Sequence, residues 1–263
     1  MLLNSVIIIL REVLEASLII SVFLAFSHQN QYFRLWLLWA LFPGLLGAAV
    51  YATQIELISQ WREGVGQEVT NASLHLALAG CLLLFFLSQL FIASSTLRKK
   101  INICCLFCST VLAINREGAE ILLYLSGFMA LPDHLSTVLI GSTIGSGIGL
   151  SIGILFYYVL IHLSRPIFLP TTLGIIVLIL SGMVMQATQQ MIQADILPYQ
   201  APVWDSSGWL PESSIPGQLL YALMGYEATP TPLQFIFYSS SILLCLGLYS
   251  INLLKKTHAI PKG

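Results

Sequence analysis

The sequence predicts an all-α integral membrane protein of seven transmembrane helices, a 3+3 inverted repeat plus one, with the N-terminus outside and the C-terminus inside. Three observations carry that reading. The 263 residues are 57% hydrophobic and only 9% charged, and the mean hydropathy is +0.85, whereas a soluble domain carries about 25% charged residues. Seven stretches approach or exceed the ~20 apolar residues that a span needs. One charged phrase is written twice inside such stretches, as Arg11-Glu12-Val13-Leu14-Glu15 and as Arg116-Glu117-Gly118-Ala119-Glu120. A single transmembrane permease domain over 1–263 accounts for the length, and a net charge of −1 excludes a nucleic-acid footprint.

The expected spans are 2–27, 35–58, 71–97, 101–131, 135–163, 171–193 and 233–254. Residues 1–100 form repeat one, 101–193 repeat two, 194–232 an outer loop and 233–255 the seventh helix. The first span starts without a basic segment and is interrupted by charges, so it reads as a helix rather than a signal peptide. In the second, Pro43, Gly44 and Gly47 mark a small-residue segment. Its counterpart is the fifth, where Gly141, Gly145, Gly149 and Gly153 recur every fourth position, a pattern that lets helices pack closely in lipid. The loop 194–232 holds six prolines and two tryptophans but no lysine or arginine.

Short cytoplasmic loops collect Lys and Arg. With seven spans, Arg34, Arg98, Lys99, Lys100, Arg165, Lys255, Lys256 and Lys262 fall on one side and Arg62 alone on the other. Glu56, Glu63, Glu68, Asp133, Asp195, Asp205, Glu212 and Glu227 lie at that other, outer side. The first span then runs inward and the fourth outward. At 1.5 Å per residue both charged phrases lie about 15–20 Å below the outer ends of their helices, near the midplane.

Charge inside a membrane is expensive and points to function. Within each phrase the glutamates are three apart and the arginine precedes the second glutamate by four, so all three share one face. If the faces meet, Glu12, Glu15, Glu117 and Glu120 form a carboxylate site for a hard cation, and Arg11 and Arg116 keep neighbouring carboxylates ionised. A salt-bridge lattice that only joins two helices is a poor alternative, because desolvation consumes most of the Coulombic gain.

Other residues carry weaker signals. Glu68 and Asp205, with Glu56, Glu63, Glu212 and Glu227, are candidate cation-concentrating acids at the outer mouth. Gln186, Gln189, Gln190 and Gln193 suggest a wet vestibule. His75 reads as a hydrogen-bonding residue, and His28, His134 and His162 as interfacial. Met183, Met185 and Met191 read as packing, as do Cys81, Cys104, Cys105, Cys108 and Cys245, which lack a second metal-site signature.

The doubled Arg-Glu-x-x-Glu phrase resembles the paired signatures of the iron permease family, which comprises fungal high-affinity iron permeases and bacterial ferrous-iron uptake permeases. Val203-Trp204-Asp205-Ser206-Ser207, Gly217-Gln218-Leu219-Leu220, Gly225-Tyr226-Glu227 and the 230–234 stretch are similar to that family's last outer loop, and Gly66-Gln67-Glu68 to its segment before the third span. Asn71 departs from the pattern, since an acidic residue is expected there. The resemblance implies a permease, not an enzyme, importing iron across a plasma membrane, most simply a bacterial inner membrane. It implies iron ligands at Glu12, Glu15, Glu117 and Glu120, iron as substrate with no resident cofactor, and partners limited to the bilayer and an external ferroxidase or periplasmic iron-handling protein. Another divalent metal such as lead or manganese is the alternative cargo. An intramembrane metalloenzyme is a third reading, weakened by the lack of a His-Glu-x-x-His motif.

Overall fold

The computed structural model describes residues 1–32, 35–129 and 132–258. Arg34 and Lys262, both used in the orientation argument, and Leu131, the expected end of the fourth span, lie outside the described residues. The described chain is helical throughout: α1 (Leu2–Gln29), α2 (Trp36–Thr53), α3 (Ile55–Gln60), α4 (Gly66–Phe91), α5 (Ser95–Met129), α6 (Pro132–Ile161), α7 (Arg165–Gln193), α8 (Ile215–Met224) and α9 (Pro232–His258). Five helices among the described residues are long and apolar enough to cross a membrane: α2, α4, α6, α7 and α9. The 28-residue α1 and the 35-residue α5 are the carriers of the charged phrases.

The expected boundaries need four corrections. The stretch 35–58 is not one helix, because the chain breaks at Gln54 and reverses through Arg62 and Glu63 at φ 52° and 65°. That reversal brings Gly66 against the carbonyl of Ile58, where a Cβ would collide. The turn between the third and fourth expected spans is at 92–94 rather than 98–100. Arg98, read from sequence as a loop charge, lies in the first turn of the next helix. It folds back to donate from Nε to Ile92 O at 2.9 Å and from Nη2 to Ala93 O at 3.4 Å, satisfying carbonyls of the turn that follows α4. Helix α7 begins at Arg165, six residues before the expected 171, with Pro166 in its first turn, where a missing N–H costs nothing. Within the segment 194–232, read as a loop, stands the short apolar helix α8. Its N-cap Ser214 accepts from Gly217 N at 3.1 Å and its C-cap Gly225 adopts φ 67°.

Glycine sets the helix pairings. The strongest contacts join α1 with α6, α2 with α5 and α4 with α7. Each glycine of the α6 stripe lies close against α1: a Cβ at Gly145 would stand 2.5 Å from the backbone oxygen of Val6, and one at Gly153 2.7 Å from the side chain of Ser17. At this close approach, Ser17 Oγ donates to Gly149 O at 3.2 Å and Ser21 Oγ to Gly153 O at 2.7 Å. On the other pair, Gly44 and Gly47 of α2 meet Ile114 and Asn115, and Gly118 of α5 meets Ala48. The stripe is packing, as its spacing suggested. An aromatic and aliphatic core of Phe23, Phe26, Phe85, Leu82, Ile176 and Leu180 fills the space between α1, α4 and α7.

Gly145→Val should lower stability by about 2 kcal/mol, the range of overpacking substitutions. Gly147→Val, at a position with open space beside it, should change stability by less than about 0.5 kcal/mol. Unfolding of the two purified variants in detergent checks this, and equal effects would overturn the account of the stripe.

Candidate metal centre

The crossing of α1 and α5 puts the two charged phrases face to face. One carboxylate oxygen from each of Glu12, Glu15 and Glu117 lies within 4.8 Å of the others, and the three residues are 5%, 0% and 1% exposed. Arg116 binds across the interface, with Nη1 at 3.0 Å from Glu15 Oε2 and 2.5 Å from Glu117 Oε1, while its Nη2 is 3.2 Å from Glu120 Oε1. It is the one fully buried guanidinium of the doubled phrase. Glu12 Oε2, Glu15 Oε1 and Glu117 Oε2 are buried and lack hydrogen-bond partners.

The four sequence-predicted glutamates are therefore not equivalent. Glu120 stands outside the trio and is partly exposed, with 29% of its side chain accessible. It lines a polar cleft of about 330 Å³ together with Gln67, Glu68, Asn71, Gln190 and Gln193. Glu68, expected at the outer mouth, faces this cleft, and its Oε2 has no partner. Arg11 also departs from its counterpart. Its Nε is 3.5 Å from Glu15 Oε1, and its guanidinium carbon lies 3.7 Å above the ring centroid of Tyr221 on α8.

A second layer of polar groups supports Glu15. Gln186 of α7 donates from Nε2 to Glu15 Oε2 at 3.4 Å, and its Oε1 is 2.5 Å from His75 Nε2 on α4. The other ring nitrogen of His75 is 2.9 Å from Asn71 O, and Asn71 Oδ1 accepts from Tyr51 OH at 2.9 Å. His75 thus holds a hydrogen-bonding role, as its chemistry suggested. Asn71, where an acid was expected, joins that network and the cleft wall. Met183 and Met185 are buried in packing. Cys104 and Cys108 sulfurs are 4.0 Å apart on one helix face, and all five cysteines are free.

Of the acids in the 194–232 segment, Asp205 and Glu212 are engaged with their own loop, and Glu227 with the flanking helices α7 and α9. Exposed Asp205 accepts from Ser207 N at 2.9 Å and Ser207 Oγ at 2.6 Å, which holds its carboxyl below the usual range. Glu212 Oε1 accepts from Ala228 N at 2.6 Å. Glu227 accepts from Gln189 Nε2 at 3.1 Å and from Gln234 Nε2. Burial, with Glu212 adding repulsion against the Gln234 donor, pushes the Glu227 carboxyl up to about 7. Glu227 shares a small cavity with Gln189 and Gln193, and Gln193 also lines the Glu120 cleft.

Sequence reasoning missed Tyr221 and the cross-bundle reach of Gln186. The available signal was Ser214 ahead of Pro216 and a short apolar run closed by Gly225, an N-cap and C-cap pair that bounds a short helix.

Fold and site together define a multi-pass helical membrane protein with a buried carboxylate cluster. The model of the family described as "Iron permease FTR1 family" matches residues 2–259, and the chain belongs to that family. It is a permease of the iron-transport class. No curated protein and no solved structure matches the chain.

Because the folded pKa of Glu227 lies above its ordinary 4.5, the folded state binds the proton more tightly than the unfolded state. Its contribution to stability is complete below about pH 4.5 and is lost as pH rises through about 7. The difference in melting temperature between the wild type and Glu227→Gln should therefore change across that window in this direction. A pH-independent difference would contradict it.

Proposed function

We propose that this permease carries iron inward across a plasma membrane, the inner membrane in a bacterial cell, through the carboxylate cluster of Glu12, Glu15 and Glu117, with Glu120 as the ligand on the entry side. The observation that carries the proposal is a charge imbalance. Three buried carboxylates face one buried guanidinium, and three of their oxygens have no hydrogen-bond partner, Glu15 Oε1 having only a 3.5 Å ion pair with the partly exposed Arg11. Unpaired buried charge costs several kcal/mol per ion, and a divalent cation with a preference for hard oxygen ligands relieves that cost. Because Arg116 occupies Glu15 and Glu117, a metal ion would compete with the guanidinium for them, and loading would displace it toward Glu120.

In this reading α1 and α5 cross the membrane together with the five apolar helices, giving seven spans with the N-terminus outside. The pairings α1–α6 and α2–α5 exchange when repeat one (α1, α2, α4) is swapped with repeat two (α5, α6, α7), and α4–α7 maps onto itself. Those relations support the inverted repeat, which in other transporters places the site at the midplane and allows one repeat to rock against the other. The cleft of Glu68, Glu120, Gln190 and Gln193 then opens outward, and an external ferroxidase or periplasmic iron-handling protein delivers the metal to it. Another divalent metal, lead or manganese, remains the alternative cargo on the same ligands, since carboxylate sites discriminate weakly by affinity.

In proteoliposomes loaded with the purified protein, Glu12→Ala, Glu15→Ala and Glu117→Ala should each lower the initial rate of radioactive iron uptake by about a hundredfold, roughly the loss of 2.7 kcal/mol. Glu120→Ala should raise the half-saturating iron concentration. Wild-type uptake by any two of the first three variants would overturn the site, and full competition by manganese or lead would reassign the cargo.

A further inference from the structure

The two phrases are identical in their charges, yet their arginines do opposite things. Arg116 lies among Glu15, Glu117 and Glu120, with 6% of its side chain accessible. Arg11 has 35% accessible, contacts a carboxylate only at 3.5 Å, and is stacked 3.7 Å above the ring of Tyr221. An aromatic face attracts a guanidinium within about 6 Å of its centroid. The ring belongs to α8, which has no counterpart on the other repeat: repeat two is followed by the segment 194–232, repeat one only by the break at 92–94.

The platform under Arg11 is held firmly. Leu219, Ala222 and Leu223 of α8 pack against Leu10, Leu14 and Leu18 of α1. Gly225, at the end of α8, sits against Gly182 of α7 so closely that a Cβ there would stand 2.5 Å from Gly182 Cα. Tyr221 itself is buried at 8% exposure. Within its own phrase, Glu12 Oε2 and Glu15 Oε1 are buried without a hydrogen-bond partner, and Glu15 Oε1 has only the 3.5 Å ion pair with Arg11 Nε.

We propose that Tyr221 is a positioning residue that holds the Arg11 guanidinium over its ring and limits its approach to Glu15 to the single 3.5 Å Nε contact, so that carboxylate oxygens of the cluster stay available to a cation. The inference rests on the metal-binding reading of the cluster. One arginine neutralises the empty site, and the other is kept aside by the outer segment. Released from the ring, Arg11 would close on Glu12 and Glu15 and act as a tethered competitor for the metal.

The test measures ferrous iron binding to purified protein in detergent under anaerobic conditions. Tyr221→Leu should weaken binding roughly five- to tenfold, the scale of one desolvated cation–π contact, and Tyr221→Phe should bind like the wild type because it keeps the ring. In an Arg11→Gln background the Tyr221→Leu penalty should vanish. An equal penalty in both backgrounds, or a Phe variant as weak as Leu, would make Tyr221 a packing residue and overturn the inference. So would loss of binding in Arg11→Gln alone, which would put that arginine inside the site. Glu117→Gln measured alongside separates the two levels. Wild-type binding by Glu117→Gln rejects the metal site itself, whereas abolished binding there with an unaffected Tyr221→Leu rejects only the role of Tyr221.

Discussion

The whole bundle depends on how it accommodates clustered carboxyl groups and a guanidinium within an apolar interior. Arg116 is the central interaction: from α5 it binds Glu15 on α1 while binding Glu117 and Glu120 on its own helix. A lone buried carboxylate would take up a proton or draw in water. Three buried carboxyl groups gather about one buried guanidinium, and three of their oxygens have no hydrogen-bond partner. Such an arrangement is a poor source of stability, and the proposed metal site would account for it.

The glycines make this crossing geometrically possible. Close approach of α6 to α1 and of α2 to α5 fixes the rotation of the two charge-bearing helices, so that each buries its phrase rather than turning it toward lipid. A helix face that carries an Arg and two Glu has no intrinsic reason to point inward with ångström accuracy. Close contact at Gly145, Gly149 and Gly153 on one side, and at Gly44 and Gly47 on the other, supplies the constraint. Serine hydroxyls that donate to α6 carbonyls add polar stitches where side chains are too small to interdigitate.

Asymmetry enters at the ends of the repeats. Glu15 is sealed and linked through Gln186 and His75 to α7 and α4, while its counterpart Glu120 looks into a polar cleft. The long segment after repeat two brings α8 and Tyr221 onto α1, and the short turn after repeat one offers nothing equivalent to α5. A duplicated motif thereby becomes a cluster with one flank on a polar cleft and one buried.

Composition alone determined the membrane class, because 9% charged residues cannot solvate a chain this apolar. Helical spacing determined that Arg11, Glu12 and Glu15, and likewise Arg116, Glu117 and Glu120, share faces, and the glycine period marked a packing seam. These features are local, so a sequence displays them. Tertiary structure decided which oxygens stay unpartnered, which arginine is buried, that Glu120 belongs to the cleft rather than the trio, and that Asp205 and Glu212 serve their own loop. It also moved the break between α4 and α5 to 92–94, because Arg98 was needed to cap carbonyls rather than to sit in a loop. Tyr221 meets Arg11 from 210 positions away. No periodicity encodes such a contact, since it depends on where a distant helix lands in the assembled bundle.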